Sequence, residues 1–298
     1  MSDLALPQGQ AASDEIKGRS LWVDAWRRLT GNRAAVVSMI LLGIIVLLAV
    51  LAPWLSPFPY DEVYWDFVGA PPDLASGHIF GTDQNGRDLF VRTLYGGRVS
   101  LTVGVVATLV SLVIGVAWGA TAGFIGGRVD AVMMRIVDIL YALPFIFFVI
   151  LLTVVFGRNI VLIYVAIGAI SWLDMARIVR GQAISLKRRE FVEGAIAGGV
   201  STLNIVRRHI IPNTLGPVVV YVTLTVPSVI LTESFVSFLG LGVQEPDTSW
   251  GVLISDGARN METAWWGLVF PGLFLAVTLF CFNFIGDGLR DALDPKDR

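Results

Sequence analysis

The chain has 298 residues, of which 55% are hydrophobic and 15% are charged, and its formal net charge is −2. Soluble domains average about 25% charged residues, and the mean hydropathy here is +0.71, so the composition excludes an ordinary soluble domain and predicts an all-α protein that crosses a membrane several times. The single cysteine, Cys281, excludes an internal disulfide, and His78 and His209 are too far apart to share a metal ion, so no metal is expected.

Residues 1–33 are polar and are predicted to form a cytoplasmic tail with one short amphipathic helix. Apolar side chains recur at helical spacing from Leu21 to Leu29, and Ser20 suits the N-cap position. Trp22 and Trp26 on that helix favour a position at the membrane surface. The alternative, a disordered tail, suits residues 1–15 better.

Six apolar runs follow, each close to the length of about 20 residues that crosses a hydrocarbon core. They cover 34–55, part of 99–127, about 135–156 with a break near Pro144, about 160–176, 213–240 and about 263–286. An even number of crossings places both termini on the same side. Residues 34–298 are therefore predicted to form one transmembrane domain.

The distribution of basic residues predicts which side that is. With six crossings, 17 Lys and Arg residues fall on the side of the termini and 5 fall on the opposite side. The positive-inside rule then places both termini and residues 186–212 in the cytoplasm. The loops 56–100 and 243–262 face outside, and connections of that length are usually functional or disordered.

Residues 190–212 interrupt the apolar runs with a polar, small-residue segment that we predict to be helical. Ala195, Gly198 and Gly199 leave a nearly bare surface that another protein's backbone can approach closely. Glu190 and Glu193 can accept charge-assisted hydrogen bonds from a partner, and Pro212 suits the first turn of the next helix. From the residues alone, docking to a protein and lipid binding through the basic residues 187–189 both stay open.

The spacing of Glu193, Ala195, Gly199 and Pro212 resembles the EAA loop of ABC-importer permeases. Gly194 replaces the first alanine of that pattern, and His209 stands where the general pattern has isoleucine. The resemblance implies that this helix docks into an ATPase subunit. The residues that it assigns to the coupling contact are Glu190, Glu193, Gly194, Ala195, Gly198, Gly199 and Pro212.

Further motifs resemble dipeptide, oligopeptide and nickel permeases: residues 78–88 with 95–101, and residues 233–242 with 249–251. Residues 171–182 and 282–296 are similar to the C-type subunit of oligopeptide permeases, and the resemblance runs from about residue 18 to the end. It implies an outer surface that meets an extracytoplasmic peptide-binding protein. The residues assigned to that contact are Gly81, Thr82, Asp83, Gly86, Arg87, Asp88 and Trp250.

Three acidic residues lie within or near the predicted spans, where ionisable groups are costly and usually functional. Asp138 is three residues from Arg135, and Asp174 is three residues from Arg177, so pairs within one helix are the favoured explanation for both. Glu233 has no such neighbour and could contact either the substrate or a partner subunit. Glu233, Ser237 and Asp174 are therefore the candidate pore residues.

The resemblance implies a type I ABC importer fold with six transmembrane helices, in the bacterial cytoplasmic (inner) membrane. Its expected partners are a homologous B-type permease, two ABC ATPase subunits, the peptide-binding protein, peptide and membrane lipid, and no nucleic acid. The chain lacks the phosphate-binding motif G-x4-G-K-[ST] and catalytic motifs, so it is not expected to be an enzyme or to bind a cofactor, and ATP and Mg belong to the partner ATPases.

Two other functions are compatible with the residues. A stand-alone proton-coupled peptide transporter would use Asp174 and Glu233 as proton sites, but the sequence shows no matched pair of short, broken spans. A purely scaffolding membrane subunit would tolerate changes in residues 78–98.

Overall fold

A computed structural model describes residues 21–157 and 159–293 of the chain. Within these ranges the regular elements are helices, and one isolated β-bridge joins Thr82 to Asp88. Ser20, the expected cap of the first helix, lies outside the described residues.

The helices are numbered along the chain. They are α1 (Leu21–Gly31), α2 (Arg33–Leu55), α3 (Leu89–Ile125), α4 (Gly127–Ala142), α5 (Phe145–Phe156), α6 (Ile160–Leu186), α7 (Glu190–Ala197), α8 (Thr202–Ile205), α9 (Ile211–Phe238), α10 (Trp250–Arg259) and α11 (Trp266–Leu293). A short 3₁₀ turn covers Trp65–Phe67, and a π-helical turn over Val206–Ile210 joins α8 to α9.

Five helical stretches are long and apolar enough to cross a membrane, namely α2, α3, α6, α9 with the turns before it, and α11. The pair of helices α4 and α5, bent by 79° with respect to each other, makes a sixth candidate when the two are counted as one span. The break falls at Leu143 and Pro144, because a residue before proline avoids the helical conformation, and Leu143 has the extended ψ of 126°. The polytopic all-α fold is confirmed, with five candidate spans, or six when the pair of helices that is interrupted near Pro144 counts as one.

The two segments that are predicted to face outside differ from their predicted bounds. The first ends at Asp88 because the carboxylate of this residue accepts a hydrogen bond from the backbone N–H of Val91 at 2.8 Å and so caps α3. Because Arg92 is charged, a search for uncharged runs placed the start of this span later in the chain. The side chain of Arg92 is nevertheless fully buried. The second loop contains α10, which begins where Ser249 Oγ accepts from Val252 N–H at 3.3 Å.

The predicted amphipathic helix is present as α1, but its apolar side packs on protein. Ala25 and Leu29 are buried against Ala35 of α2 and Ala292 of α11. Trp26, next to Ala25 in the sequence, is 62% exposed. The helix therefore closes one end of the α2–α11 pair.

The core of the bundle is the contact between α3 and α6. Gly115, Gly119 and Gly123 lie on one side of α3, spaced one helical turn apart. A methyl carbon at Gly119 would lie 2.3 Å from the carbonyl oxygen of Ala176, and one at Gly123 would lie 2.5 Å from that of Arg180. Backbone contact through small residues is the usual means by which membrane helices pack closely.

We expect Gly119→Ala to lower the midpoint of thermal unfolding of the detergent-purified protein. The added methyl group overpacks the α3–α6 contact, which costs about 1–3 kcal/mol in well-packed cores. Gly43→Ala is the matched control, because nothing lies within 4 Å of the methyl position there. Equal midpoints for the two variants would contradict the close contact.

Candidate functional site

Three polar regions stand out on the bundle: a cap at one end, a polar cluster between the spans, and the α7 segment at the opposite end. The cap, defined as residues 56–88 with 241–265, combines the two segments that are predicted to face outside. Arg87 joins them, since its Nη2 donates to Glu245 Oε1 at 2.8 Å and its Nε donates to Asp83 Oδ2 at 2.8 Å. Trp266 Nε1 adds a hydrogen bond to the carbonyl oxygen of Thr82 at 3.1 Å.

The interior of the cap is built from tight turns. Gly81 and Gly86 have φ values of +75° and +78°, and a methyl carbon at either would lie 2.6 Å from a backbone carbonyl oxygen. Asp83 accepts from the backbone N–H of Arg87 at 2.9 Å. Nδ1 of His78 lies 2.9 Å from Asp88 Oδ2, and the His78 ring stacks on Phe58 with centroids 4.4 Å apart. These contacts hold the turn at Asp83–Arg87 against the start of α3.

The cap residues predicted to contact a binding protein are mostly inside the cap. Thr82 and Trp250 are 0% exposed and Asp88 is 1% exposed. Trp250 Nε1 donates to the carbonyl oxygen of Thr93 at 3.0 Å, and its ring packs on Gly97, so it fastens α10 to α3. Gly81, Gly86 and Arg87 are also buried. Direct contact through these side chains is therefore a wrong expectation: they shape the cap from within, because their polar groups are used by its turns.

The exposed part of this motif is the pair Gln84 and Asn85, between Asp83 and Gly86. Both stand at positions that the motif leaves unspecified, so the sequence did not single them out. A groove of about 230 Å³ runs from Asn85 to α10, and Glu245 and Asp256 also line it. Burial raises the pKa of the Asp256 carboxyl above its ordinary value, against the opposing charge of Arg259.

Glu233 and Ser237 are enclosed within the subunit, which contradicts their assignment to a pore surface. Glu233 is 0% exposed. Its carboxylate accepts hydrogen bonds from Ser237 Oγ at 2.7 Å and from Ser100 Oγ of α3 at 2.9 Å. Ser100 Oγ in turn lies 3.3 Å from the backbone N–H of Trp250. The network around this carboxylate includes residues of α3 and of the start of α10. These partners are far away in the sequence, so residue spacing could not predict them.

Asp130 and Asp138 of α4 pair with basic residues of α6, and neither of the predicted local pairs, Asp138 with Arg135 and Asp174 with Arg177, is formed. Arg177 of α6 donates to Asp138 of α4 at 2.9 Å. One turn further along α6, Arg180 donates to both carboxylate oxygens of Asp130 at 2.6 and 2.7 Å. Asp174 is partly exposed and forms no ion pair among the residues that the structure describes.

Residues 190–212 form two helical pieces instead of the single predicted helix. The first, α7, ends at Gly198 and Gly199: Gly199 has φ +77°, its N–H donates to Ile196 O at 3.0 Å, and Val200 N–H donates to Ala195 O at 3.1 Å. This is a glycine-terminated helix end that satisfies the last carbonyl groups. Pro212 lies in the first turn of α9, as expected, but the chain enters α9 without a break through the π-helical turn.

The α7 segment has an outward side and an attached side. Glu190, Glu193, Gly194 and Gly198 are exposed, and Phe191 and Ile196 are 45% and 49% exposed. On the attached side, Val192 is fully buried in a cluster with Phe124 of α3 and Val179 of α6. The exposed apolar side chains next to the acidic ones were not singled out from the sequence.

Comparison with known proteins agrees with this architecture. Residues 115–298 match the family described as "Binding-protein-dependent transport system inner membrane component". Residues 20–72 match the family described as "N-terminal TM domain of oligopeptide transport permease C". Together the two matches cover the chain from residue 20 onward except for residues 73–114.

Several curated proteins are similar over nearly the whole chain. The oligopeptide transport system permease protein OppC of Escherichia coli (strain K12) is 64% identical over 284 residues, which cover 95% of this chain and 94% of that protein. OppC of Haemophilus influenzae is 57% identical over 95% of this chain and 91% of its own length. The dipeptide transport system permease protein DppC of Bacillus subtilis is 46% identical over 96% of this chain and 90% of its own length.

These relatives are permease components of ABC transporters and not enzymes themselves, and they are bacterial. With its apolar helices, the chain is a multi-pass protein of the bacterial inner membrane. It belongs to the inner-membrane permeases of binding-protein-dependent ABC importers, in the group that contains the oligopeptide permease C subunits.

Proposed function

We propose that this chain forms half of the translocation pathway of an ATP-driven oligopeptide importer. The other half would be a homologous B-type permease, two ABC ATPase subunits would bind the cytoplasmic side, and a peptide-binding protein would bind the outer side. The excess of 17 over 5 basic residues supports a cytoplasmic α7 and an outer cap. The names of the relatives support peptide as the substrate.

The observation that carries the coupling role is the two-sided construction of α7. Its outward side offers Glu190 and Glu193 to basic partner groups and Phe191 and Ile196 to an apolar pocket. Its attached side is packed into the core between α3 and α6 through Val192. A force applied to the exposed side is therefore passed to the spans that pack in that core.

The energetics favour a rigid lever over a single switching contact. Reversing a two-state equilibrium from 1:99 to 99:1 takes about 5.5 kcal/mol, whereas one hydrogen bond to a charged group contributes about 1.5–3 kcal/mol. Burying a large apolar side chain such as Phe191 contributes about 1.5–3 kcal/mol more. Several α7 contacts must act together while ATP closes the ATPase pair, and ATP and Mg are held by those partners.

On the outer side, the exposed tip of the cap is the surface that we assign to the binding protein. Gln84 and Asn85 project from the turn that Arg87 ties to Glu245, and Glu245 itself has a side-chain exposure of 59%. The buried motif residues would keep this tip in one conformation. A rigid tip loses little conformational entropy on binding.

We expect Glu193→Lys to abolish peptide import while the chain still inserts into the membrane. The substitution reverses the charge that faces the ATPase and leaves the buried side of α7 unchanged. The measurement is uptake of labelled peptide by cells, together with co-purification of the ATPase in detergent. Glu262→Lys, an exposed change in the cap, is the matched control for the added charge. Uptake equal to wild type by the Glu193→Lys protein would contradict the coupling role.

Two cap variants separate surface contact from internal support. Asn85→Trp adds bulk at the exposed tip, so we expect it to weaken stimulation of ATP hydrolysis by peptide-loaded binding protein without changing thermal stability. Asp88→Ala removes the cap of α3 and the contact with His78, and we expect it to lower the unfolding midpoint, since losing an N-cap costs about 0.5–2 kcal/mol. Normal stimulation of the Asn85→Trp protein would contradict the assigned docking surface.

A further inference from the structure

A groove runs between α2 and α11, the pair of spans that α1 closes at one end. Its volume is about 540 Å³, and apart from Arg33 it is lined by small and apolar side chains. The buried Ser38 and Cys281 lie at its floor, and their small side chains leave space between the two helices. Both helices are candidate membrane spans, so the groove lies along the apolar layer of the membrane.

The rims of the groove are large apolar side chains that stay exposed. Val37 and Leu41 stand four residues apart on α2. Phe280 and Phe284 stand four residues apart on α11, so each pair lies on one side of its helix. Surfaces where membrane helices pack on one another are enriched in small residues that let the backbones approach. Bulky rims around a small-residue floor suit a slender hydrocarbon chain better than another helix.

One end of the groove carries a positive charge. Arg33 is exposed, and the other described residues that line the groove are uncharged. It forms no ion pair within the described part of the chain. At the same end of α11, Asp287, Arg290 and Asp291 are exposed and lie outside the lining, as do the charged residues of α1. The Arg33 guanidinium is therefore available to an anion.

The position of Arg33 matches the level of lipid head groups. The candidate span of α2 begins at this residue, so its side chain stands where an apolar helix enters the polar layer. Basic pockets between transmembrane helices are typical sites for acidic lipid head groups, and a guanidinium matches the geometry of phosphate oxygens. A zwitterionic head group brings its own cation beside the phosphate. A head group with net negative charge is therefore favoured.

We propose that the groove between α2 and α11 binds an anionic phospholipid, with the phosphate at Arg33 and one acyl chain between the two rims. The chain fills the space above Ser38 and Cys281 and so holds α2 against α11. The α1 helix packs on both of these helices at the same end, so the lipid supports the arrangement of all three. A ligand that binds the folded protein stabilises it.

The test is photo-cross-linking of the purified complete transporter with phosphatidylglycerol that carries a diazirine on one acyl chain. Mass spectrometry should place the cross-links mainly in residues 34–41 and 277–284. Unlabelled phosphatidylglycerol should compete about fivefold more effectively than phosphatidylcholine with the same chains, which corresponds to the roughly 1 kcal/mol that one basic residue contributes at an anionic lipid surface. Arg33→Gln should bring the two competitors close to parity. Arg128→Gln, which changes an exposed arginine at the start of α4, should keep the preference.

A second pair of variants tests the apolar part of the site. Ala34→Trp fills the groove from an exposed position and should lower cross-linking at 277–284 several-fold. Gly43→Trp adds the same bulk to α2 outside the lining and should behave as wild type. Equal competition by both lipids in wild type, an unchanged preference in Arg33→Gln, or cross-links spread evenly over the spans would overturn the proposal. A lack of cross-links at the groove, the result expected if the second permease covers it, would overturn it as well.

Discussion

Polar groups inside the apolar layer need partners, and this constraint organises the molecule. Glu233 meets it completely, enclosed by Ser100 and Ser237 with no exposed surface. Asp130 meets it with two hydrogen bonds from Arg180. The Ser100–Glu233 and Arg180–Asp130 contacts each join two spans, so the cost of placing charge in the layer is offset by fixing how those spans pack.

The same constraint shapes the surface of the bundle. The spans expose many aliphatic side chains, as a lipid-facing or subunit-facing surface does, and where α4 meets α6 the exposed Arg177 guanidinium lies 4.3 Å from the centre of the Tyr141 ring. At one end the Glu233 network reaches Trp250 and the cap. At the other end Val192 packs α7 into the α3–α6 core. A pathway between two halves could therefore respond to events at both ends.

Much of the fold could be predicted from the sequence, because apolar runs and prolines act locally. The spans and the break near Pro144 are of this kind. Partners across helices were not predictable: spacing indicated Arg135 for Asp138, but packing of α4 on α6 supplied Arg177. The cap motif was recognised from the sequence, but a motif does not reveal which of its members are buried, as Trp250 is. The coupling and docking contacts remain predictions.

The most direct test of this account asks whether the side of α4 and α6 that carries Tyr141 and Arg177 faces water. In a Cys281→Ala background, which removes the only native cysteine, Tyr141→Cys and the lipid-facing control Leu47→Cys would be placed in the assembled transporter. Each would then be treated with a charged, membrane-impermeant thiol reagent. The account predicts rapid labelling at position 141 in an open state and none at position 47. Equal protection of both positions would contradict a polar pathway along α4 and α6.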